Sequence, residues 1–89
     1  MTDDRLRTLH DHLAATAERP VERGPSRWLG EAEAVAADLV DSDLSQSVRR
    51  ERVETIEHIL SNVDGTGDPV ADDHVAMARS VVEELLADR

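Results

Sequence analysis

Cysteine, lysine, phenylalanine and tyrosine are all absent from this chain. Without cysteine there are no disulfides and no thiolate metal sites. Without lysine, the ten basic residues are all arginine. With Trp28 as the single aromatic residue, there is no aromatic platform of the kind that stacks nucleic-acid bases. No apolar run approaches the ~18 residues needed to span a bilayer. The first residues, MTDDRLRTLHDH, are charged and contain no signal-peptide core, so a soluble cytoplasmic protein is expected.

The acidic residues dominate what is present. Twenty Asp and Glu face ten Arg, giving a formal net charge of −10 over 89 residues. Apolar residues make up 39%, mostly Ala, Val and Leu, so the core must be built from small side chains in close contact. A chain of this length holds one small domain, residues 1–89, with a marginal core. Self-association is one way to bury more surface. In dilute buffer a charge of −10 repels itself, whereas molar salt shortens the Debye length to about 3 Å and screens that repulsion.

Apolar periodicity predicts four helices and no strands. The first runs from about 4 to 17, with Leu6, Leu9, Leu13 and Ala17 on one stripe. Pro20 breaks it, and Gly24-Pro25 reads as a second break. The second runs from about 26 to 40 on Trp28, Ala32, Val35 and Leu39, with Pro25 or Ser26 at its start. The third opens after the link Asp41–Asp43, with Asp43 and Gln46 spaced as a capping box, and continues to about Ser61. The fourth runs from about Pro69 to Ala87 with Val70, Ala71, Val75, Ala78, Val82, Leu85 and Leu86 over half its circumference. Short links favour antiparallel neighbours, so the expected fold is an all-α, up-down four-helix bundle. The alternative is a three-helix core with a loosely docked first helix.

The segment SNVDGTGDPVADDH, 61–74, carries four aspartates, two glycines and a proline between helices. On a twelve-residue calcium-loop frame, Asn62, Asp64 and Thr66 fall on ligand positions, Gly67 on the glycine and Asp73 on the last ligand. The frame fails at Pro69 and at Asp73, which is too short for a bidentate Glu position. A capped turn explains more residues. Gly65 and Gly67 allow positive φ, Asp68 caps the fourth helix, and Pro69 takes its first position.

Other constellations are sparse. His10 and His12 are two apart and point in different directions on a helix. His10 and His74 both lie near apolar stripes and would meet if the first and fourth helices were adjacent; with nearby carboxylates they make the metal-binding alternative. No phosphate loop, nucleophile elbow or metalloprotease pattern occurs. No catalytic, cofactor or metal residue is therefore assigned. Arg19, Arg23 and Arg27 surround the first break. Arg49, Arg50 and Arg52 open the third helix, where they are candidate anion or partner contacts. Salt bridges within the protein or at an interface explain them better than nucleic acid does, since no base-stacking aromatics accompany them. Trp28 with the small residues Gly30, Ala34 and Ala37 is the candidate interaction surface, fitting a homodimer.

The phrases PVERGPSRWLGEAEAVAADL and SNVDGTGDPVADDHVA, with the acidic and lysine-free composition, resemble small uncharacterised helical proteins of halophilic archaea. The resemblance implies a helical, salt-adapted protein and carries no functional residues. The expected function is a non-enzymatic, self-associating interaction module; the alternatives are a nucleic-acid accessory protein and a metal-binding protein.

Overall fold

The computed structural model describes residues 4–87. Four helices follow one another: α1 (Asp4–Thr16), α2 (Arg23–Asp41), α3 (Gln46–Leu60) and α4 (Pro69–Ala87). Each packs on its sequence neighbours, and α1 also packs on α4, so the four close into a ring. Among the described residues the diagonal pairs, α1 with α3 and α2 with α4, bring no Cα atoms within 8 Å of each other. That is the up-down bundle the short links favour. The alternative with a loose first helix is overturned: Leu9 and Leu13 of α1 are wholly buried, and α1 packs on both α2 and α4.

The core runs down the axis of the ring. Leu6, Leu9 and Leu13 meet Leu29, Ala32, Ala36 and Leu39 of α2. Val53, Ile56, Ile59 and Leu60 of α3, Val63 of the loop after it, and Val75, Ala78 and Val82 of α4 complete it. Most of these are Ala, Val or Leu, as the composition requires. Trp28 lies at the edge, half-buried against the cluster.

Helix ends differ from the sequence reading in four places. Thr16, not Ala17, completes the buried stripe of α1; its hydroxyl donates to the Leu13 carbonyl at 2.6 Å. Ala17 falls beyond the helix, in the turn, and is exposed. Gly24-Pro25 is no break: α2 begins at Arg23, and Pro25 sits in its first turn, where a missing N–H goes unnoticed. Ser26 is therefore inside the helix rather than its cap. Asp43 does not cap α3 either. Ser45 does, accepting the Val48 N–H at 3.3 Å, while Leu44 tucks against the core and delays the helix. Of the two loop glycines only Gly67 has positive φ, at 83°.

Candidate functional site

The loop 61–68 closes on itself and on the break after α1. Asp68 accepts the Ala71 N–H at 3.0 Å, as an N-cap should. The same carboxylate takes two bonds from Arg19, Nε at 2.9 Å and Nη2 at 3.1 Å. Arg19 first, then the Ala71 N–H, holds the Asp68 carboxyl below the usual carboxylate range, against the opposing effect of burial. The Arg19 guanidinium is in turn held above its ordinary value by Asp68. Beside them Thr66 is fully buried. Its hydroxyl accepts the Asp68 N–H at 3.1 Å and donates to Asp72 Oδ1 at 2.8 Å. Its own N–H donates to the same Asp72 oxygen at 2.9 Å, and its carbonyl accepts the Glu22 N–H at 2.8 Å.

Two of the four aspartates of residues 61–74, Asp68 and Asp72, are thus spent on internal donors. Thr66, at a calcium-ligand position of the frame, points inward to bind the loop to itself. Among the described residues no group of three or more His, Cys, Asp or Glu converges as a metal cluster would.

The ring does bring two histidines together, but the pair is His12 with His74, not His10 with His74. Their Nδ1 atoms are 3.0 Å apart, and both rings are half-buried. At 100° per residue, His10 and His12 lie about 80° either side of the centre of α1's buried stripe. The flank carrying His12 faces α4. The other carries His10, whose Nδ1 lies 3.9 Å from its neighbour Asp11. Nothing in the sequence says which flank α4 will take.

The arginine groups are dispersed rather than pooled. Arg50 donates to the Leu86 carbonyl at 3.2 Å, so it closes the C-terminal turn of α4. Arg79, not singled out from sequence, does the same for α3: its Nη2 donates to the Leu60 carbonyl at 2.7 Å and to that of Val63. Cations at helix C-termini complement both the orphan carbonyls and the dipole. Arg49 is half-buried beside Arg50, and Arg52 is exposed. Arg5, Gln46, Arg49 and Arg50 line a small hollow at that end of the bundle.

The remaining candidates lie on α2. Gly30 and Ala34 are exposed and Ala37 is half-buried. Trp28 does not join them. It sits about 160° round the helix from Gly30, on the core side. A Cβ placed on Gly30 would meet nothing within 4 Å, so no close approach within the chain requires this glycine. The helix also carries its charges the wrong way round. No acid lies in its first turn and no base in its last; Arg23 begins it and Asp41 ends it.

Fold and surfaces together define a small all-α domain, an up-down four-helix ring with a self-closed loop at one end. The chain belongs to the family described as a domain of unknown function, DUF8152, whose match covers residues 5–89. No curated protein and no solved structure matches it significantly. No helix among the described residues is long and apolar enough to cross a membrane.

Proposed function

We propose that the protein is a non-enzymatic helical interaction module that pairs with a second copy of itself through the outward face of α2. The observation that carries this is the self-complementarity of that face. Along it stand Arg23, Arg27, Gly30, Ala34, Asp38 and Asp41, all exposed. Two copies crossing antiparallel about position 32 set Gly30 against Ala34 of the second copy. The same register sets Arg23 against Asp41, and Arg27 against Ala37 with Asp38 one residue beyond it. Each arginine then lies near the partner helix's C-terminus and each aspartate near its N-terminus, which reverses the unfavourable dipole placement within one chain. A two-fold axis requires this kind of self-matching. Gly30 costs about 1 kcal/mol relative to Ala in a helix, and the small pair lets two helix axes approach to the short end of the usual 8–10 Å. One helix face is a small interface, so the dimer is expected to be weak.

The net charge of −10 and the lack of lysine support a second element of the reading, adaptation to concentrated salt. Two such chains approach each other best where their overall repulsion is screened. The nucleic-acid alternative has less behind it, because Arg50 is engaged at the end of α4.

Sedimentation equilibrium in molar KCl tests the pairing. Wild type at about 100 µM, a concentration suited to a small interface, should sediment near twice 9.8 kDa. Arg23→Asp should shift it to monomer, and Arg23→Asp with Asp41→Arg should restore the dimer. A monomeric wild type, or a single charge reversal without effect, would defeat the proposal.

A further inference from the structure

His12 and His74 aim two nitrogen donors from different helices at each other across 3.0 Å. A neutral imidazole carries one N–H and one lone pair. As they stand, the two rings share one proton, one Nδ1 donating and the other accepting. We infer that this pair is a two-histidine clasp for a divalent late transition-metal ion of the zinc, nickel or copper class, joining α1 to α4.

The spacing is that of neighbouring ligands on one ion. Metal–imidazole distances of about 2.0–2.1 Å put two nitrogens about 3.3 Å apart on a tetrahedral ion and about 2.9 Å apart at a right angle. The observed 3.0 Å lies between these. The rings now meet nearly head-on, with centroids 5.2 Å apart and planes tilted by 43°. Binding needs each to turn until both nitrogens aim at a point beside their common line. The ring that holds its proton on Nδ1 shifts it to Nε2, so no net proton is released. Both histidines stand on packed helices, so their Cα atoms are already placed, and both are open enough for water to fill the remaining positions. Asp11 and Asp73, exposed neighbours in sequence, add negative potential that favours a cation. Imidazole nitrogen selects this class of ion over magnesium or calcium, which take oxygen. With half the ligand set of a structural zinc site, a Kd on the order of 1–100 µM is expected.

Thermal unfolding with and without 1 mM zinc, nickel or magnesium nitrate, in chloride-free buffer, tests the clasp. An ion that binds the folded chain alone raises its midpoint. Zinc or nickel should raise that of wild type by at least about 5 °C, and magnesium should not. The rise should vanish in His12→Gln and in His74→Gln, and persist in His10→Gln and His58→Gln. A second measurement needs no variant: traces of copper(II) should broaden the ring proton resonances of His12 and His74 in the wild type before those of His10 and His58. A wild-type midpoint that zinc and nickel leave in place, a rise that survives loss of either clasp histidine, or first broadening at His10 or His58 would each overturn the inference.

Discussion

Arg19 and Asp68, 49 residues apart, are joined by two parallel N–H···O bonds of 2.9 and 3.1 Å. The pair ties the break after α1 to the N-cap of α4, and the buried partner is the acid. Because the folded state holds the Asp68 carboxyl below its ordinary range, its contribution to stability is fully present above the unfolded value of about 3.9. It is lost as pH falls through the lower folded value. The guanidinium stays charged throughout. Urea midpoints should therefore fall below about pH 4 in wild type, and fall less in Asp68→Asn, which is weaker at neutral pH to begin with. Equal pH slopes in the two proteins would show that the carboxylate is not perturbed.

Thr66 has the burial of a core residue and the bonding of a turn. Thr66→Val keeps its shape and removes the hydroxyl, leaving the Asp68 N–H without its partner. A loss of about 1–3 kcal/mol is expected from an orphaned buried donor. Denaturant unfolding measures it. A neutral result would mean that water replaces the hydroxyl.

Arg79 and Arg52 are both exposed arginines on helices, yet only Arg79 reaches the end of another element. Arg79→Met should cost about 1.5–3 kcal/mol, the range for hydrogen bonds to a charged group. Arg52→Met should stay within about 0.5 kcal/mol, as surface changes away from such features do. Comparing their thermal midpoints checks the arginine cap on α3 directly.

Two glycines should respond in opposite directions to alanine. At Gly67 the φ of 83° is strained for any side chain, and a Cβ would come within 2.8 Å of Glu22 Cγ. Gly67→Ala should lose about 1–2 kcal/mol. At Gly30 a Cβ meets open space, so Gly30→Ala should gain about 0.5–1 kcal/mol in the dilute monomer. Both values come from one set of unfolding curves.

The four helices were legible because each buried stripe is written locally. Ile56, Ile59 and Leu60 on α3 and Ala71, Val75, Ala78 and Val82 on α4 recur at three and four residues, the spacing of one helix face. The start of α4 was equally plain, since Asp68 and Pro69 act on their own helix. The caps of α2 and α3 were less so. Asp43 and Ser45 both carry cap chemistry, and the choice between them falls to Leu44, which must first reach the core.

By itself, the sequence determined the number of helices, their inward faces, the acid excess and the stop-turn-start character of residues 61–68. These depend on residue type and on spacing within a few positions. The tertiary structure decided the hand of the ring. His10 and His12 flank the α1 stripe almost symmetrically, so either is fit to face α4. Only the direction in which the four helices close makes it His12. The same closure set Arg19 on Asp68 and Arg79 at the end of α3, contacts between elements far apart along the chain. No local pattern encodes them, because each depends on where a whole helix lies and not on what its neighbours in sequence are.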